Sequence, residues 1–148
     1  MISYLDTSVI LPALVPLHPQ HTICRDTLID CADKGAITIS TNHVVAELYG
    51  NLTRLPKQVR LSPKDAHALI TDLLENRLTF TVDLQTQDYL PAVARCAERN
   101  LVSGVIYDAL HLQAAIKAEA THFYTANYRD FIRLWDEAST MQLIRVYP

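Results

Sequence analysis

Three carboxylates stand where apolar residues would be expected. Asp6 ends the strand-like part of the apolar run YLDTSVILPAL, residues 4–14, and two hydroxyl residues follow it, Thr7 and Ser8. Glu47 lies on a predicted helix from His43, on the shoulder of the buried side that Val44, Leu48 and Leu52 define. Asp108 occupies the same shoulder of a second stripe, made by Val105, Ala109, Leu112 and Ile116 at helical spacing. Burying an unpaired carboxylate is costly, so each acid requires a cation, a hydrogen-bond donor or a metal. No lysine or arginine lies one turn from Glu47 or Asp108. His43 can pair with Glu47, and His111 lies near Asp108, so either acid taken alone reads as structural as readily as functional. With Asp6 added at a strand end, several convergent carboxylates would repel one another unless a divalent ion neutralised them. Mg²⁺ or Mn²⁺, hard ions that prefer oxygen, suit such a set.

The segment TANYRDF, residues 125–131, is more evenly balanced. Asn127 suits a helix N-cap and Asp130, three residues on, suits the positive end of the helix, so capping competes with function for this pair. Thr7 and Ser8 share that ambiguity. The six histidines show no zinc-binding spacing in sequence, and His18 and His21 read as surface residues. There is no glycine-rich phosphate loop and no GxSxG elbow. Arg54, Lys57, Arg60 and Lys64 form a small basic cluster; a solvated face is the default reading, a nucleic-acid backbone track the alternative.

The elements that must position these residues alternate along the chain. ISYL, AITIS, LTFTV, HFYT and MQLIRVY read as strands. Between them, helices are predicted after Ser8, from Pro19 to Lys34, from a Thr41 or Asn42 cap at HVVAELYGNLTRL, and from Ser62-Pro63-Lys64-Asp65. Further helices are TQDYLPAVARCAERN, bent or restarted at Pro91, then GVIYDALHLQAAIKAEA and NYRDFIRLWDEA. Strands separated by helices imply a mostly parallel sheet covered on both faces. Function in such folds gathers at the carboxyl ends of the strands, where strand order reverses. Asp6 and Thr125 both fall at predicted strand ends of this type.

Composition fits one domain over residues 1–148: 49% of the residues are apolar and 20% charged. A net charge of −3 gives no global pull toward nucleic acid, so any phosphate contact must come from a local patch or a bound metal. Prolines 12, 16 and 19 interrupt the longest apolar region, which excludes a membrane span there, and MISYLD has no signal-type pattern. The three cysteines form no metal-binding pair, and Cys24 and Cys31 share a helical face with Leu28. A reduced, cytoplasmic protein is the expectation.

The ordered set YLDTSVIL, VVAELYGNLTRL, IYDALHLQAA and YTANYRDF resembles the PIN-domain family, and especially the VapC-type toxins of toxin–antitoxin pairs. The resemblance spans almost the whole chain. It implies a three-layer α/β/α sandwich around a mostly parallel sheet of about five strands, and a Mg²⁺- or Mn²⁺-dependent endoribonuclease. Asp6, Glu47 and Asp108 match the family's first three acids. The fourth position departs from the pattern, with Asn127 and Asp130 both available; Asp130 is taken with the catalytic and metal-binding set. Ser8, Thr125 and Asn127 match polar positions that support the ligands. The resemblance further implies hydrolysis of RNA leaving a 5′-phosphate, a homodimer, and a cognate antitoxin whose tail occludes the acidic groove. Beside the blandest option, a doubly wound domain with capped helices and paired structural acids, two rivals with a function of their own remain at this level. One is a PIN-like domain that binds RNA or protein without cleaving. The other is a phosphatase with Asp6 as nucleophile, although Ser8 stands where such enzymes carry a second aspartate.

Overall fold

A computed structural model describes residues 1–148. The buried run at the start of the chain forms β1 (Ile2–Leu5), whose successive side chains point to opposite faces of a sheet. Around it the chain lays β2 (Ile37–Thr41), β3 (Phe80–Val82), β4 (His122–Thr125) and β5 (Gln142–Arg145). The order across the sheet is β3-β2-β1-β4-β5, and every pairing is parallel. Thus the chain steps outward from β1 through β2 to β3, then crosses back to the other side of β1 with β4. The reversal falls between β1 and β4, where Tyr4 pairs in register with Phe123 and Leu5 with Tyr124.

Two apolar cores cover the two faces. On one, Leu5 packs with residues of α1 (Thr7–Leu14), α2 (His21–Asp33), α3 (Val44–Leu52) and α4 (Pro63–Asp72). On the other, Tyr4, Ile39 and Phe123 pack with α5 (Thr86–Glu98), α6 (Val105–Lys117) and α7 (Tyr128–Leu134). Tyr4 stacks on Phe123 with ring centroids 4.9 Å apart, worth about 0.5–1.5 kcal/mol beyond the buried area. The result is the α/β/α sandwich that strand–helix alternation implies. Cys24, Cys31 and Cys96 are all free and buried, as packing residues.

Local chemistry explains where the elements begin and end. Ser62 caps α4 by accepting from the Asp65 amide at 3.1 Å and donating to its carboxylate at 2.7 Å. Gly35 ends α2 with φ +66°, a conformation that costs glycine nothing. Several boundaries differ from the pattern-based expectation. Pro19 lies in the turn before α2, not in its first turn, and α1 starts at Thr7. Neither Thr41 nor Asn42 caps α3, because Thr41 Oγ1 turns to the Asn42 side chain and the Val82 carbonyl. Helix α5 is a single helix over Thr86–Glu98 with Pro91 inside it, so it does not restart there, and the proline leaves one ladder bond unmade. In α6 the buried face is broader than the expected stripe: Leu110, His111, Ala114 and Ala115 are inside, whereas Ile116 is exposed. Helix α7 stops at Leu134, ahead of Trp135-Asp136-Glu137-Ala138.

Candidate active site

Asp6 leaves β1 at the point of strand reversal and is almost fully buried, with 3% of its surface exposed. Its backbone carbonyl accepts from the Val9 and Ile10 amides, each at 3.1 Å, and so begins α1. The side chain does not cap that helix. Instead Ser8 Oγ donates to Oδ1 at 2.6 Å, and Thr125 Oγ1 donates to Oδ2 at 2.8 Å. Ser8 in turn accepts from the Ala126 amide at 2.9 Å, and Thr125 Oγ1 from the Asn127 amide at 2.8 Å. Ser8, a candidate cap, and Thr125 therefore tie the end of β1 to the end of β4. Burial pushes the Asp6 carboxyl above its ordinary pKa, opposed by the nearby His111 and the two hydroxyls.

Asp108 is delivered from the first turn of α6 and is partly buried. Asn127 Nδ2 donates to its Oδ2 at 3.3 Å. Burial, and after it the negative charge of Asp6, pushes its pKa up to about 7, with Asp130 and Glu47 adding to the effect against His111. Desolvation and neighbouring carboxylates both favour the protonated form here, and the His111 charge offsets them only in part.

Glu47, on α3, is partnered otherwise. His111 Nε2 lies 2.8 Å from Oε2, the Thr7 hydroxyl donates to the same oxygen, and His43 Nε2 lies 3.5 Å from Oε1. Burial alone would raise its pKa, but the hydrogen bond from His111, the His43 imidazole and Thr7 outweigh burial and hold the carboxyl well below the usual range. His111 is itself anchored, its Nδ1 2.8 Å from the Tyr4 hydroxyl. The Glu47 carboxylate can only accept, so a ring proton of His111 faces it from Nε2.

Asp6, Ser8, Glu47, Asp108, His111 and Asn127 line one open cavity of about 380 Å³, together with Thr7, Leu11, Pro12, His18, Asn51 and Tyr147. No lysine or arginine lines it. Thr125 lies beneath, fully buried. Asp130 is not part of the lining; its carboxylate is 3.4 Å from Arg133 and acts on Asp108 through charge. His18, expected at the surface, is half-buried and faces the cavity. The pairing of His111 also differs from its sequence neighbourhood: it bonds Glu47, 64 residues away, rather than Asp108. Ligand atoms of His43, Glu47 and His111 lie within 4.8 Å of one another, a spacing that Asp6, Glu47 and Asp108 do not meet as a trio.

The family model for the PIN domain matches residues 3–135. The chain belongs to the PIN-domain family. Among curated relatives of this PIN domain, Ribonuclease VapC27 of Mycobacterium tuberculosis is 36% identical over 115 residues, covering 78% of this chain and 77% of that protein. Ribonuclease VapC40 of the same species is 29% identical over 105 residues, covering 71% and 72%. Among solved structures, VapBC2 from Rickettsia felis, bound to a DNA fragment from their promoter, superposes with a TM-score of 0.70 at 22% identity, covering 98% of both chains. Mycobacterium tuberculosis VapC20, a sarcin–ricin loop cleaving toxin, also gives 0.70, at 15% identity over 92% of this PIN domain and 98% of that chain. At those identities the likeness is one of fold. It agrees with the five-stranded parallel sheet and the layered helices described above.

Proposed function

We propose that this PIN domain is a metal-dependent endoribonuclease, the toxin of a toxin–antitoxin pair, with Mg²⁺ or Mn²⁺ as its cofactor. One observation carries the reading: Asp6 and Asp108 face a single cavity that no lysine or arginine enters, and burial together with the Asp6 charge lifts Asp108 to about 7. The donors there are oxygens, and they carry an uncompensated negative charge that a hard dication would neutralise; the residues present fit the group. The 36% identical relative is a ribonuclease by name, which supports RNA as substrate.

In this reading Asp6 and Asp108 hold the cation, with Glu47 reaching it by turning from His111. When bound, the cation supplies Lewis-acid charge for the scissile phosphate and acidifies a water. Ser8 and Thr125 fix both oxygens of Asp6, and Asn127 steers Asp108. With both oxygens held by hydroxyls, Asp6 suits a ligand better than an attacking phosphatase nucleophile. Asp130 contributes negative charge from the rim and is the weakest member of the set. Glu47 and Asn51 also border an adjoining recess lined by Arg54 and Tyr107, a cation and an exposed aromatic ring suited to phosphate and base. A cognate antitoxin covering the acidic cavity, a homodimer and a cytoplasmic setting complete the proposal; no helix is long and apolar enough to cross a membrane.

The deciding experiment compares wild type with Asp108→Asn on structured and single-stranded RNAs, in Mn²⁺ and in chelator. Metal-dependent cleavage by wild type and its loss in the variant are expected. Equal activity of the two proteins, or activity indifferent to chelator, would overturn the mechanism.

A further inference from the structure

His43, Glu47 and His111 come from two helices and a helix-capping position, and no sequence spacing joins them into a metal motif. The fold nevertheless brings one nitrogen from each imidazole to the same carboxylate. His111 Nε2 lies 2.8 Å from Oε2, and His43 Nε2 lies 3.5 Å from Oε1. The ligand atoms of all three fall within 4.8 Å, and the two rings are 4.8 Å apart between centroids, tilted by 53°. In both histidines the opposite ring nitrogen is tied to a hydroxyl: Nδ1 of His111 to Tyr4 at 2.8 Å, Nδ1 of His43 to Thr41 at 3.3 Å. Anchoring the outer nitrogen while the inner one faces a shared centre is how metal-ligating histidines are oriented. The His43 Nε2 is buried and has no hydrogen-bond partner, so it is a donor atom with nothing assigned to it. Access is open, because Glu47 and His111 both line the cavity that Asp6 and Asp108 face.

We propose that His43, Glu47 and His111 form a Zn²⁺ site, distinct from the oxygen-ligated centre formed around Asp6 and Asp108 but sharing Glu47 with it. Two imidazoles and one carboxylate, with the fourth position open to water, make a donor set that Zn²⁺ accepts at about 2.0–2.2 Å and that Mg²⁺ does not favour. With Nε2 on Zn²⁺, a neutral His111 would carry its proton on Nδ1, which faces the Tyr4 hydroxyl oxygen. Small side-chain rotations close the set, since nitrogens around one tetrahedral ion stand roughly 3.3 Å apart. Occupancy by Zn²⁺ withdraws Glu47 from the cavity's carboxylates and thereby inhibits cleavage. That consequence rests on the proposed nuclease reading, whereas the binding itself does not.

The test is Zn²⁺ titration of the metal-free full chain against a chromophoric chelator, without RNA, backed by Co²⁺ absorption as a probe of coordination geometry. One equivalent of Zn²⁺ and an intense tetrahedral Co²⁺ band are expected. His43→Gln and His111→Gln should each weaken Zn²⁺ by at least about tenfold, the lower end of what even an indirect ligand support costs. Asp108→Asn should leave Zn²⁺ affinity within about threefold of wild type on the same scale. Because His111 is buried, the partly exposed His43 provides the variant whose folding is not in question. Zn²⁺ affinity that survives the His43 substitution, an octahedral Co²⁺ spectrum, or an equal loss in Asp108→Asn would each overturn the proposal. Absence of RNA cleavage with intact Zn²⁺ binding would instead count against the nuclease reading alone.

Discussion

Thr125 donates its hydroxyl to Asp6 at 2.8 Å across 119 residues of sequence, joining the ends of the two strands between which the sheet reverses. The bond opposes the effect of burial on the Asp6 carboxyl, and it does so from the backbone-anchored end of β4. Thr125→Val keeps the shape and removes the donor. Cleavage with Mn²⁺ should fall roughly 10- to 100-fold, as for other supports of metal ligands, while Thr125→Ser should recover most of it. Rates for the three proteins at saturating metal decide the matter; equal loss in the valine and serine variants would mean that packing, not the hydroxyl, is what Thr125 supplies.

Asp108 predicts a pH dependence of the metal-free protein. Its pKa rises on folding from 3.8 to about 7, so its contribution to stability is fully present below about pH 4 and is lost as pH rises through about 7. Melting temperature in chelator should therefore fall between about pH 5 and 7 and level off above the folded-state pKa, and Asp108→Asn should flatten that fall. Glu47 has the opposite sign: its lowered pKa gives stability that is present above about 4.5 and lost in more acid solution, outside that window. A wild-type melting temperature that rises over the same range would contradict the crowding of acids.

Metal should reverse the same slope. A cation that binds only the folded chain adds about 2.7 kcal/mol at a hundred times its dissociation constant. Mn²⁺ should raise the melting temperature most at pH 8, where Asp108 is ionised, and least at pH 5, where a proton competes for it. A shift independent of pH, or undiminished in Asp108→Asn, would place the ion elsewhere.

The sheet and its helices were legible because apolar periodicity is dense here and each acid interrupts it in a countable way. Asp6, Glu47 and Asp108 could be picked out by what they displaced from a buried face. The partners were harder to read. His111 stands one turn after Asp108, yet its ring points across the site to α3, a direction set by the packing of α6 rather than by spacing. Whether Ser8 capped a helix or held Asp6, and whether Thr125 reached the same carboxylate, depended on how β1 and β4 pair. Asp130 shows the converse: the family resemblance placed it with the other acids, and the short α7 leaves it beside Arg133.

Asp130 accordingly carries a graded expectation. Its side chain is about one-third exposed, 37%, and it touches the cavity only through its field on Asp108. Asp130→Asn should lower the pKa of Asp108 and reduce Mn²⁺-dependent cleavage by less than about tenfold, a single decade being ~1.4 kcal/mol. Asp108→Asn should cost at least about a hundredfold, since losing a ligand forfeits several kcal/mol of charge stabilisation. Comparable losses in the two variants, measured at one metal concentration, would promote Asp130 to a direct ligand.

Arg54 tests where RNA approaches. Its guanidinium donates to Asn51 at 3.0 Å and borders the recess that continues from Glu47 toward Tyr107. A phosphate held there would lie beside the acidic cavity without entering it. Arg54→Ala should weaken RNA binding, measured by fluorescence anisotropy in chelator so that no cleavage intervenes. It should also reduce the steepness of the salt dependence by about one phosphate contact, a slope change near 0.7 for a single strand. Tyr107→Ala should weaken single-stranded RNA by about 1–3 kcal/mol if a base stacks on the ring, with little change in salt slope. If both variants bind as wild type does across the salt series, the backbone track lies on another face, and Lys57, Arg60 and Lys64 become the next residues to replace.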